Sequence, residues 1–188
     1  MALLDEPIEN LNESDVSFMP VAVRYGLILG GITVILTVLM GLLKIKMSSV
    51  GPGIGIAALS LGLMIGTVIY AVRAHRDGEL GGYASFLRVF LLSLVVLLIG
   101  AVIGQLFNYL YFNYINPGYV QEVLDSTKEM LEKLNVPEDK IDETMVDASA
   151  KMQSMGGIVK SLAVASIMYA IVALIFGAAM KRVRSTFA

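Results

Sequence analysis

The sequence predicts an all-α membrane protein: a four-transmembrane-helix bundle with an amphipathic helical hairpin between spans three and four. Three observations carry this. Four stretches, Val21 to Leu43, Ile54 to Val72, Val89 to Tyr109 and Ser161 to Met180, are apolar and nearly free of charge. Each is about 20 residues, the length a helix needs to cross ~30 Å of hydrocarbon. The 188 residues are 56% hydrophobic with a mean hydropathy of +0.75, above the roughly 45–50% of soluble domains, and the excess lies in blocks rather than stripes. Between the third and fourth blocks the pattern changes to an acidic segment with apolar residues at helical spacing.

Residues 1–19 carry Asp5, Glu6, Glu9, Glu13 and Asp15 and no basic residue, with breakers at Pro7 and Pro20. They read as an acidic, largely disordered tail, with a short helix near Pro7 to Leu11. The membrane domain covers 20–184, and a short tail of 185–188 follows. Span one (21–43) begins at Pro20, a residue suited to a helix's first turn, and Arg24 is placed to snorkel to the interface. Lys44 and Lys46 end it. Met47 to Gly53, with Ser-Ser and Gly-Pro-Gly, predicts a tight turn. Span two (54–72) stops before Arg73, His75, Arg76 and Asp77. Gly78, Gly81 and Gly82 predict a compact turn, because glycine tolerates positive φ. Span three (87–114) belongs to a run without charge from Val89 to Ile115, ~40 Å as helix. That exceeds the hydrocarbon thickness, and its aromatic exit, Tyr109 to Tyr114, reads as an interfacial belt.

The soluble part spans 117–157. Val120, Val123, Leu124, Leu131 and Leu134 predict a helix from Pro117 to Leu134. Asn135-Val136-Pro137 breaks it. A second helix starts near Glu138, with Ile141, Met145, Ala148 and Met152 as its stripe, and Gly156-Gly157 is expected to end it. Span four (158–181) closes on Lys181, Arg182 and Arg184.

Small residues recur four apart: Gly26 and Gly30, Gly62 and Gly66, Gly100 and Gly104, and Ala173 with Gly177. Such pairs let helix backbones approach closely. They predict packing inside one bundle, with homo-oligomerisation as the sharper alternative. No Asp, Glu, Lys, Arg or His lies deep in any span, whereas proton relays and charged-substrate sites normally need one. Gln105 and Asn108 share a helical face and are the candidates for a small polar cavity. Leu131, Met145 and Met152 are the candidates for a partner-binding face.

Much chemistry is excluded. With no cysteine there is no disulfide, thiolate metal site or cysteine nucleophile. His75 is the single histidine and lacks a second ligand nearby. Gly51-Pro52-Gly53-Ile54-Gly55 lacks the Lys-Ser/Thr ending of a phosphate loop. We therefore expect no enzyme, no catalytic residues, no cofactor and no metal. A net charge of −2 offers nothing to nucleic acid. The acidic start is the opposite of a cleavable signal, so span one is expected to stay in the bilayer. An even number of spans puts both termini on one side. Arg24, Arg73, Arg76, Arg88, Lys181, Arg182 and Arg184 lie there, and this excess predicts cytoplasmic termini, although Lys44, Lys46 and Lys160 pull the other way.

Arg24-Tyr25-Gly26-Leu27, Gly81 to Phe86, the aromatic exit with Ile115-Asn116-Pro117, Met130-Leu131-Glu132 and the basic end together resemble the uncharacterised bacterial membrane proteins called domain of unknown function 4199. The resemblance covers about residues 20–184. One departure is Leu87-Arg88, where family members often carry a small or acidic residue. The resemblance implies four spans in a bacterial inner membrane and no known activity.

Two functional readings follow. The preferred one is a non-enzymatic structural or interaction protein whose extracytoplasmic loop, 117–157, contacts a protein partner or envelope component, besides the lipid bilayer. The alternative, ranked below it because the spans lack an ionisable residue, is a small transporter or channel subunit with a polar path near span three. A cavity reaching the midplane beside Gln105 favours the second; a dry bundle favours the first.

Overall fold

The structure is a computed structural model that describes residues 13–43 and 50–183. The expected helix near Pro7 to Leu11, most of the first inter-span connection and the 185–188 tail lie outside the described residues. Six α-helices follow in order: α1 (Met19–Leu43), α2 (Val50–Gly78), α3 (Phe86–Leu110), α4 (Gly118–Lys133), α5 (Glu138–Gln153) and α6 (Met155–Met180), with a π-helical turn, Tyr111–Ile115, between α3 and α4. Met19–Leu43, Ile54–Gly78, Phe86–Ile115 and Met155–Met180 are long and apolar enough to cross a bilayer. Among the described residues there is no strand, only one isolated bridge between Ala84 and Arg182.

Several boundaries differ from expectation for identifiable reasons. Gly51-Pro52-Gly53, expected as a turn, belongs to the first turn of α2, where proline's missing N–H is one the helix leaves unbonded anyway. The same helix runs six residues past Val72, through Arg73, His75 and Arg76, because basic residues suit the negative end of the helix dipole. Gly156-Gly157 does not end α5. Ser154 does, and its hydroxyl accepts from the Gly157 N–H at 2.9 Å, capping α6 instead. Span three stays helical to Ile115 but changes pitch at Tyr111. At the end of α4, Asn135 adopts φ 55°. The Val136 N–H reaches the Leu131 carbonyl and the Asn135 N–H reaches that of Glu132, the paired bonds of a left-handed helix stop. Residues 13–18, expected as part of a solvated tail, instead dock: Glu13 accepts from the Ser85 N–H at 2.6 Å, and Val16 and Phe18 pack on the core.

Helix α3 is the centre of the bundle, with α1 and α6 packed along it and α2 leaning on α1 and α3. The core is lopsided. Val68, Ala71, Val72, Val89, Leu92 and Val96 are almost fully buried, and all lie in the half nearest the termini. In the other half, α2 from Ile54 to Gly62 is largely exposed, and its first fully buried residues are Thr67 and Val68. Beyond that end of the bundle, α4 and α5 pair and α5 rests on α6. Tyr111, Tyr119, Val120, Ile141 and Ile158 are buried at that junction. Neither amphipathic helix is long enough to be stable alone, so each needs its stripe covered.

Candidate functional site

The glycines set the geometry of the site. A Cβ added at Gly26 would lie 2.6 Å from Ile99 Cβ, and one at Gly30 2.7 Å from Ile103 Cβ. The reciprocal pair on α3 does the same: Gly100 faces Leu29 and Gly104 faces Thr33, both closer than 3.0 Å to an added Cβ. Helices α1 and α3 therefore meet backbone to backbone over two turns and form one wall. Gly177 on α6 receives the Phe86 ring, with Ala173 buried a turn away. Gly62 and Gly66 depart from the expectation of packing within the bundle: nothing lies within 4 Å of a Cβ at either. They fall on the part of α2 that leans away. A contact that spacing did not reveal is Gly41, where an added Cβ would collide with the Tyr111 hydroxyl.

Because α2 diverges from the α1–α3 wall, a cleft of about 430 Å³ opens between them. It extends from Asn108 to Leu97 on α3, about three helical turns, and so crosses the middle of the bundle beside Gln105. Leu29, Thr33 and Thr37 contribute from α1, Ser60 and Met64 from α2, and Tyr169 from α6. Its inner end is closed by the apolar core around Leu92, Val96 and Val68. Leu61 lines it yet remains 54% exposed, so the α2 side is open laterally.

The polar groups in the cleft are unevenly committed. Thr33 donates its hydroxyl to the Leu29 carbonyl at 3.0 Å, within its own helix. Thr37 donates to Asn108 Oδ1 at 3.0 Å, tying α1 to α3. Among the described residues Gln105 forms no hydrogen bond and no charged side chain lines the cleft. Gln105 and Asn108 are thus brought to one cavity, as their shared face predicts. The lining offers apolar surface, two carboxamides and the hydroxyls of Thr33, Thr37, Ser60 and Tyr169.

A second cluster, which the sequence alone does not signal, sits at the termini end. His75 is 1% exposed, with Nδ1 2.6 Å from Glu79 Oε2. Arg88 Nε donates to His75 Nε2 at 3.0 Å. Accepting that bond requires a bare Nε2, so the imidazole proton belongs on Nδ1, facing the carboxylate. The Arg88 guanidinium also lies 5.1 Å from the Phe18 ring centroid. Arg76 grips Asp77 through two bonds and donates to the Met180 carbonyl at 3.1 Å. With the Ala84–Arg182 bridge these contacts clamp α2, α3, α6 and the N-terminal segment together. A four-residue spacing hints at the His75–Glu79 pair, but nothing local signals Arg88 as its partner. No group of three or more potential ligands that would hold a metal occurs among the described residues.

The candidate partner face is mostly turned inward. Leu131, Met145 and Met152 are half-buried, while Met130, Leu134 and Val146 are exposed. The Tyr119 phenol, buried against Tyr111 and Phe112, is pushed above its ordinary value by burial first, then by Tyr111 and Glu122.

A family model described as a protein of unknown function (DUF4199) matches residues 24–182. No curated protein and no solved structure matches the chain.

Proposed function

We propose that this chain, which belongs to the DUF4199 family of proteins of unknown function, is a non-enzymatic multi-pass membrane protein that holds a small uncharged molecule in its intramembrane cleft. The observation that carries this reading is the cleft itself. It crosses the middle of the bundle, opens sideways beside α2 and presents an uncommitted carboxamide, Gln105. A cavity beside Gln105 is what the transport reading required, so the balance moves from partner platform to ligand binding. A through-channel is disfavoured by the sealed apolar core at the inner end. The partner reading is weakened because Val120 and Ile141 of the two stripes are buried and Leu131, Met145 and Met152 are half-buried. An enzymatic role lacks support: the single histidine is held between Glu79 and Arg88, away from the cleft. The basic excess at the termini end supports an orientation with both termini inside, and the resemblance to its family supports a bacterial cytoplasmic membrane.

The test is to fill the cleft. Ala101 lines it, and Ala101→Phe places a ring in the space. Native mass spectrometry of protein released from membranes should show a bound small molecule that the variant loses while keeping its melting temperature. A wild-type protein that carries nothing, or a variant that carries the same load, overturns the proposal.

A further inference from the structure

Building on the cleft as a binding site, we infer that its ligand is a single-chain, uncharged amphiphile whose polar end both donates and accepts hydrogen bonds, oriented with that end at Gln105 and Asn108 and its chain toward the sealed end. The carboxamides are confined to one end of the cleft. Thr37, Gln105 and Asn108 lie at the end nearest the loop helices; Leu29, Met64 and Leu97 line the deep part together with Tyr169, whose ring packs on the core. The hydrogen-bonding capacity is two-sided. The Gln105 carboxamide is free to donate and accept. Asn108 uses Oδ1 for Thr37, which leaves its NH₂ group to donate.

Charge decides the class. A carboxylate or ammonium in this cleft would meet no counter-ion among the described lining residues, and an unpaired charge away from water is strongly disfavoured. Size narrows it further. At about 430 Å³ the cleft is at the small end of ligand sites, which span roughly 300–1,000 Å³; one chain with a compact head fits better than a two-chain phospholipid. The lateral opening beside Leu61 faces the region a bilayer would occupy, so the ligand enters from lipid rather than from water. A glycerol monoester has this chemistry: two hydroxyls and an ester carbonyl on one apolar chain.

The chain has no tryptophan, so Leu61→Trp places a single fluorophore at the opening. In nanodiscs, three brominated quenchers short enough for the cleft are compared at low mole fraction: 10,11-dibromoundecanoyl glycerol, 10,11-dibromoundecanoate at alkaline pH, and 1,2-dibromoundecane. The expected result is saturable quenching by the glycerol ester, at least tenfold weaker apparent binding of the carboxylate, and no saturable quenching by the hydrocarbon. Gln105→Leu in the same background should weaken the ester about tenfold, the effect of losing one hydrogen bond of ~1.4 kcal/mol. If Gln105→Leu does not fold, Gln105→Met, closer in shape, replaces it. Saturable binding of all three probes, indifferent to Gln105, would overturn the inferred class while leaving the cleft as a binding site. Saturable quenching by none would remove the binding reading as well.

Discussion

Gly30→Ala measures how tightly α1 and α3 are joined. The new Cβ would lie 2.7 Å from both Cβ and Cγ2 of Ile103, short of the 3.4 Å of ordinary contact by ~0.7 Å. Those atoms belong to a β-branched side chain with one favoured rotamer in a helix, so they move only if the α3 backbone moves. Overpacking of this kind costs about 1–3 kcal/mol. Replacing glycine by alanine returns roughly 0.8–1.0 kcal/mol of helix propensity, which leaves a net loss between about 0 and 2 kcal/mol. For a chain of this size that corresponds to a melting temperature lower by up to roughly 8 °C, and lower than that of a Gly→Ala change that meets no neighbour. Gly62→Ala is the matched control: it adds the same methyl to the same kind of helix with nothing within 4 Å. It should melt at or slightly above the unmodified protein. The assay is thermal unfolding of both variants in one detergent, followed by light scattering and by size-exclusion elution. If Gly30→Ala melts as high as Gly62→Ala, the close approach is absent. If Gly62→Ala is the destabilised one, α2 packs where the described bundle leaves it open.

His75→Ala should lower thermal stability by about 1–3 kcal/mol, because it strands the Arg88 Nε–H in a partly buried position; His75→Gln, which keeps an acceptor and a donor, should lose less, and equal losses would argue against the Arg88 bond. Raising the Tyr119 pKa stabilises the fold fully below the unfolded tyrosine value of 10.0, and that contribution fades as pH climbs through the higher folded value. Melting scans should therefore show an alkaline loss of stability that Tyr119→Phe reduces, and an unchanged profile would count against a buried phenol. For topology, single cysteines at Ser14, Ser126 and Ser185 in this cysteine-free chain should react with an impermeant thiol reagent in intact cells only at 126; the opposite pattern reverses the orientation.

Length and charge made the four spans legible, because a bilayer leaves few alternatives to a helix of about 20 apolar residues. The paired loop helices were legible from Val120, Leu131, Ile141 and Met145 at helical spacing. Spacing alone could not say which glycines touch another helix. Gly26 and Gly62 look alike locally, yet one meets Ile99 and the other meets nothing. The face that a near-uniformly apolar helix turns inward leaves little trace in its sequence. The His75–Arg88 bond escaped for a related reason: it joins two helices across a glycine turn, and each residue alone resembles an interfacial cation. Gln105 and Asn108 were found because a carboxamide stands out among aliphatic residues, whereas the cleft around them depends on where α2 points.

That direction has a mechanical consequence. Helix α2 is gripped from Thr67 to its C-terminal end by the core, by Arg76 and by His75, while the described residues of its other half are mostly exposed. It is a cantilever. The free arm from Thr67 back to Ile54 is ~20 Å long, so each degree of rocking at the clamp carries its tip by about 0.3 Å. Bilayer thickness and lateral pressure act on such an arm as a load. The gap between α2 and the α1–α3 wall thus behaves as a spring whose rest length belongs to the protein and whose working length belongs to the membrane around it.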